Sequence, residues 1–147
     1  MSVNVGGEYF ASIDSKGKIA IPKGFVLEDN VEVAYVKFND LYFDIYPLEK
    51  LLEFINILKA KKQKGMKIED YNAINRKIRI LYASIIDTYK MDTKRKLLLP
   101  RKIIQEIPDK RVLLQGINLH ISMCPTQESY DELCKLYIPQ NFGIKKF

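Results

Sequence analysis

The sequence predicts an α+β fold: two β-rich halves, related by a pseudo-two-fold, interlocked around one core with paired helices packed on one side. Three observations carry this. The nonapeptide DSKGKIAIP at Asp14–Pro22 recurs as DTKRKLLLP at Asp92–Pro100. Sliding the chain by 78 residues keeps the match in register beyond it, with Leu41 on Leu119 and Pro47 on Pro125. Apolar residues alternate with a period of two inside each copy and recur at three and four between the copies. Holding register over more than thirty residues marks an internal duplication.

Each element follows from its residues. KIAIP alternates, with Ile19 and Ile21 on one face and Lys18 and Ala20 on the other, as in a half-buried strand. Proline then ends that strand, since it cannot donate to a ladder. VEVAYVKF and LYFDIYP read as two more strands, joined by a turn at Asn39-Asp40. The second copy offers RVLLQG and NLHISMCP, with a turn near Gly116-Ile117-Asn118. Other apolar positions also correspond: Ile13 with Met91, Ile19 with Leu97, Ile21 with Leu99, Phe43 with Ile121, Ile45 with Met123.

After Pro47, Leu48, Leu51, Leu52, Ile55 and Leu58 fall at helical spacing. A lysine-rich loop, KAKKQKGMK, leads to a second helix expected from about Ile68 to Asp87. Its stripe is Tyr71, Ile74, Ile78, Leu81 and Ile85. Behind Pro125, Thr126 is placed to cap a helix over TQESYDELCKLY. The expected organisation is one domain over 1–147. It holds a first repeat at 7–54, a helical connector at 55–84 and a second repeat at 85–135. A unit of roughly 45 residues buries too little apolar surface to stand alone, so the halves must share a core.

Composition narrows the function classes. With 147 residues, 47% hydrophobic and 29% charged, the chain is neither a disordered tail nor a membrane protein. No apolar run approaches the roughly 20 residues that span a bilayer, and MSVNVGGEYF lacks the layout of a signal peptide. Cys124 and Cys134 form no CxxC pair, which fits a reducing cytoplasm rather than a disulfide scaffold or zinc site. A net charge of +6 and a pI near 9.2 favour a polyanionic partner.

No nucleophile elbow, phosphate-binding loop, zinc helix or dinucleotide fingerprint occurs, so no enzyme, cofactor, metal or small-molecule substrate is expected. Asp14 and Asp92 lack a second carboxylate at strand spacing. They are expected to cap the turn amides or pair with Lys18 and Lys96 across the bend. His120, the one histidine, falls on the exposed parity of its strand and reads as a surface residue.

The repeated tip is the candidate binding feature. Ser15-Lys16-Gly17-Lys18 sets two lysines around a glycine at a β-turn, and Lys94, Arg95 and Lys96 do the same in the second copy. Under pseudo-two-fold symmetry the tips are expected to approach each other and form one basic rim, with Lys23, Arg101 and Lys102 near the strand ends. Paired cations on a convex loop suit phosphate contact and insertion into a groove. The run Lys59, Lys61, Lys62, Lys64 and Lys67 is ambiguous: cations are favourable near a helix C-terminus on dipole grounds alone, which is the expected reading, and contact of this loop with DNA stays open.

GEYFASIDSKGKIAIP resembles the opening of the MraZ family of bacterial transcriptional regulators, which carry such a module twice with a helical segment between. NRKIRILYASIIDTYKMD and VLLQGINLHI are similar to that family's helix into its second tip and the hairpin that follows. The resemblance implies an AbrB-like double-psi or swapped-hairpin β-barrel core. It also implies a cytoplasmic, nucleoid-associated homo-oligomer, in a ring, that binds double-stranded DNA through the tips. The target implied is short direct repeats in the promoter of the division and cell-wall gene cluster. The family's basic site lands on Lys16 and Lys18 in the first copy and on Lys96 in the second. The family's arginines are lysines here. Charge is kept but the planar fork that reads guanine is lost, so phosphate affinity is expected to survive better than base specificity. The second tip carries Arg95 where the first has Gly17. An alternative is a member of the same fold that no longer binds DNA and acts through protein contacts.

Overall fold

The period-two segments become strands where expected, and two further strands appear ahead of the tips. The computed structural model describes residues 8–23, 25, 28, 30–37, 42–117, 120–126 and 128–131. The expected turn at Asn39-Asp40, Asn118 of the second turn, Cys134 and the chain beyond 131 lie outside them. The first copy contributes β1 (Glu8–Ser12), β2 (Lys18–Ala20), β3 (Glu32–Val36) and β4 (Phe43–Pro47). Helices α1 (Leu48–Ala60) and α2 (Ile68–Ser84) follow. The second copy contributes β5 (Ile85–Lys90), β6 (Lys96–Leu98), the short α3 (Arg101–Ile104), β7 (Arg111–Ile117) and β8 (His120–Cys124).

The strands form an antiparallel six-stranded sheet in the order β1-β7-β8-β4-β3-β5 and a two-stranded ribbon, β2-β6. Exchanging the two copies turns that order into its own reverse. The pseudo-two-fold passes between Asp44 and Ser122 in the sheet and between Ile19 and Leu97 in the ribbon, each a directly opposed pair. The halves are interlocked: β1 pairs with β7 of the other copy, and β5 pairs with β3. Neither copy completes a sheet alone.

Two expectations need correction. The 78-residue register is not unbroken, because Ser12↔Arg111 and Glu32↔Lys90 make Glu32 the counterpart of Arg111, an offset of 79. One residue is added ahead of β7 and one is removed from the hairpin behind it, which restores 78 at β4 and β8. The second helix also stops at Ser84, short of Asp87, and Ile85 opens β5. The run Ile85-Ile86-Asp87-Thr88-Tyr89 is rich in β-formers and finds a free edge on β3, so ladder pairing outweighs helical spacing.

Apolar residues divide between the two faces of the sheet. On one face Val33, Tyr35, Phe43, Ile45, Val112, Leu114, Ile121 and Met123 pack against Ile19, Ile21, Leu97 and Leu99 of the ribbon. Phe25 and Ile103, equivalent positions after Pro22 and Pro100, close this layer. The Tyr35 hydroxyl donates to Leu98 O at 2.6 Å, bolting sheet to ribbon. On the opposite face Ala34 and Val36 receive Leu51, Ile55 and Leu58 of α1 and Ile78 of α2. Neighbouring residues of one strand thus serve opposite layers, as the pleat requires. Thr126 caps the turn at 128–131 as expected: its Oγ1 accepts from Ser129 N at 3.1 Å, and Ser129 Oγ accepts from Thr126 N at 3.1 Å.

Candidate nucleic-acid interface

Each tip is a turn built by its aspartate. Asp14 Oδ1 accepts from the amides of Lys16 (2.9 Å) and Lys18 (3.0 Å). Asp92 Oδ1 accepts from Lys94 and Lys96, both at 2.9 Å. These amides, Lys18 N and Lys96 N foremost, hold both carboxyls below the ordinary carboxylate range. The expected capping is present. The lysine pairing is also present, but between copies: Lys18 Nζ meets Asp92 Oδ2 and Lys96 Nζ meets Asp14 Oδ2, each at 3.4 Å. One carboxylate therefore shapes its own turn with one oxygen and holds the other copy's cation with the second. The Lys18 ammonium is raised above its ordinary range, first by the Tyr89 phenol beside it and then by Asp92.

The tips do not converge into a single rim. Because β2 and β6 run antiparallel, the turns sit at opposite ends of the ribbon, about 13 Å apart along four residue steps. Reciprocal backbone bonds fasten each tip to the end of the other strand: Leu99 N donates to Gly17 O (3.0 Å) and Ile21 N donates to Arg95 O (2.8 Å). The outward face of the ribbon carries Lys18, Ala20, Lys96 and Leu98, while Ile19 and Leu97 point inward.

Both turns demand left-handed backbone, with φ of 83° at Gly17 and 58° at Arg95. Glycine adopts this freely, whereas arginine loses about 1–2 kcal/mol. Arg95 recovers that loss through its side chain. Nε donates to Ile21 O and Nη2 to Pro22 O, both at 3.2 Å, and charge-assisted bonds of this kind contribute about 1.5–3 kcal/mol each. Its guanidinium thus braces the ribbon end rather than projecting from the tip. At Gly17 a Cβ would lie 3.1 Å from Ile104 Cδ1, so that a side chain there would have to displace the Ile104 methyl as well as hold a left-handed backbone.

Of the residues singled out from sequence, Lys16, Lys23, Lys94, Arg101 and Lys102 are exposed, and among the described residues none is in an ion pair. Lys18 and Lys96 are half-buried in the crossed pairs, and Arg95 lies on carbonyls. Arg101 and Lys102 open α3, an element absent from the expected pattern, directly behind the second tip.

Sequence reasoning missed a second polar cluster, on the other face of the sheet. Asp44, opposite Ser122 on the pseudo-axis, is buried and accepts the Ser122 hydroxyl at 2.6 Å. Burial pushes its carboxyl up to about 6. His120 is not the surface residue expected: its side chain is 12% exposed, stacks on Tyr46 at 4.5 Å, and places Nε2 3.8 Å from Asp44 Oδ1. Burial lowers its imidazole to about 4. Ser122 donates directly to the carboxylate with the histidine standing aside, so the three do not form a Ser–His–Asp relay. The available signal was the duplication itself, which sets an acid against a serine at matched positions of a buried strand. No three described His, Cys, Asp or Glu residues are grouped to hold a metal ion. No described helix is long and apolar enough to cross a membrane. No protein-family model and no curated protein matches the chain.

Proposed function

We propose that this protein is a non-enzymatic, sequence-specific DNA-binding transcriptional regulator of the MraZ type, with an AbrB-like core, whose β2-β6 ribbon lies against duplex DNA. The supporting observation is the construction of the ribbon. Two basic turns, each capped by its own aspartate and one from each copy, are tied together by reciprocal Asp–Lys pairs, in a chain of net charge +6. Lys16 and Lys94, exposed at the two ends, contact phosphates. Lys23 and Arg101, behind the strands, extend the charged track. Lys18 and Lys96 hold the ribbon's shape and can exchange their carboxylates for phosphate on binding. As the family resemblance implies, the chain acts as a homo-oligomer, in a ring, on direct repeats of the division and cell-wall gene promoter.

The test is the salt dependence of binding to the DNA upstream of the chain's own gene. Losing the Lys16 and Lys94 contacts in the Lys16→Ala, Lys94→Ala variant should flatten the slope of log affinity against log salt by about two units. An unchanged slope removes the ribbon from the interface. The neutralised state of Lys18 and Lys96, with Arg95 turned inward, supports a second reading, a partner-binding protein that has lost DNA contact. Wild-type protein that gives no gel shift on upstream DNA favours that reading.

A further inference from the structure

We propose that the outer surface of the α1–α2 hairpin is a second contact surface for duplex nucleic-acid phosphates, placed so that one chain can bridge two duplex segments. Between Lys59 and Tyr82 the sequence carries Lys59, Lys61, Lys62, Lys64, Lys67, Arg76, Lys77 and Arg79 against only Glu69 and Asp70. All these cations except the half-buried Lys62 are exposed. None is in an ion pair among the described residues.

The helix dipole accounts for only part of them. Lys59, the C-cap Lys61 and Lys62 stand at the C-terminus of α1, where cations are favoured, but the last turn of α2 has none. Lys64 and Lys67 precede the N-terminus of α2, where the dipole favours anions and repels cations. Arg76 and Lys77 lie in mid-helix, beyond the reach of either end. Charge of one sign held against local electrostatics is the arrangement expected of a surface that meets an anion.

That surface is pre-shaped. Lys59 Nζ donates to the Tyr82 hydroxyl at 3.3 Å and sits 5.6 Å over its ring. Lys62 Nζ donates to Asn75 Oδ1 at 3.1 Å and sits 5.4 Å over Tyr71. These contacts pin the end of α1 and the interhelical loop to α2, and Gly65, with φ of 83°, lets the loop turn back. Less ordering entropy is then lost when phosphates bind.

The position of the hairpin supplies the bridging. α1 and α2 pack on the sheet face of Ala34 and Val36, whereas the ribbon packs on the face of Val33 and Tyr35. The two basic surfaces therefore stand on opposite sides of one sheet. An anionic bilayer is a poorer match. The exposed Ile68 and Ile80 of α2 are about 18 Å apart along the axis. Asn72 and Arg76 occupy the i+4 positions between them, so α2 offers no continuous apolar face to insert, and the exposed Phe54 and Ile57 lie on α1 instead.

The identification of duplex DNA as the anion rests on the function proposed above, and the test separates the two claims. Full-length wild type is compared with K61E/K64E/R76E/K77E and with K16A/K94A, each verified as folded by circular dichroism. Binding of one fluorescent duplex is read by anisotropy. Bridging is read as recovery of that duplex on beads carrying a second, non-fluorescent one. The expected result is that the hairpin variant keeps one-duplex affinity within about threefold while bridging falls about tenfold or more. The ribbon variant should keep weak, salt-sensitive binding. Bridging by the hairpin variant equal to wild type, or no bridging by wild type, overturns the proposal. So does loss of phosphatidylglycerol-vesicle binding in the hairpin variant with DNA bridging intact. If the ribbon variant binds one duplex as wild type does and the hairpin variant does not, the ribbon assignment fails and the hairpin surface stands.

Discussion

Replacing Asp44 with asparagine should stabilise the fold at neutral pH and leave it nearly unchanged in acid. Asp44 is buried on the seam between β4 and β8, with Ser122 as its donor at 2.6 Å, and burial lifts its carboxyl from 3.8 to about 6. In the unfolded chain the same carboxyl ionises at the lower value. Between these values the folded chain binds more protons than the unfolded one, so the group's contribution falls as pH rises through the window. About two pKa units at 1.36 kcal/mol each put the loss near 3 kcal/mol, complete above the folded value. Asparagine keeps a carbonyl oxygen for Ser122 and never ionises. Its stability relative to wild type should therefore rise by about 3 kcal/mol between roughly pH 4 and pH 7. Urea unfolding midpoints at unchanged m-value, taken at half-unit steps of pH, report this directly. A difference between the two proteins that is the same at both ends of the range refutes the reasoning.

The companion residue tilts the other way. His120 stays neutral in the fold down to about 4, while in the unfolded chain it takes its proton near 6.5, so its contribution falls as pH drops between those values. His120→Phe keeps a ring over Tyr46 and should gain about 3 kcal/mol on wild type from pH 6.5 to 4; an NMR titration placing His120 near 6.5 in the folded protein contradicts this. Gly17→Ala should cost about 1–2 kcal/mol in denaturant unfolding, from left-handed backbone and the 3.1 Å approach to Ile104, and a neutral effect argues against the turn as described. Arg95→Gly should lower the unfolding midpoint, since the bonds to Ile21 O and Pro22 O outweigh the relief at φ 58°, yet leave the salt slope of DNA binding unchanged. A flattened slope there shows that the guanidinium reaches phosphate.

In wild type the opposing tilts of Asp44 and His120 fall in the same range of pH. The seam therefore binds nearly the same number of protons folded as unfolded, though on different residues. Stability at the pseudo-axis is buffered against pH because the two shifts have opposite sign.

Much of the architecture was legible in the residues. KIAIP announces its inward Ile19 and Ile21 because side chains alternate with a period fixed by the strand. The stripe Leu51, Ile55 and Leu58 announces α1 in the same way, and the capping role of Asp14 follows from the short reach of its side chain. Duplication, half-sheets, connecting helices and basic tips all depend on contacts between residues a few positions apart, which sequence spacing encodes.

What the tertiary structure decided depends on residues far apart in the chain. Sequence could not choose β7 rather than a first-copy strand as the partner of β1, because every strand offers the same backbone groups. Pairing between copies then set the rest. It ran the ribbon antiparallel and sent the tips to opposite ends. It gave Lys18 the carboxylate of Asp92 rather than that of Asp14, drew Ile85 out of its helix, and folded the Arg95 guanidinium onto Ile21 and Pro22. His120 falls on the exposed parity of its own strand, but Tyr46 and Asp44 of the other copy cover it. Local periodicity fixed the pieces, while the exchange of strands between two imperfect copies fixed which charges remain free to meet a partner.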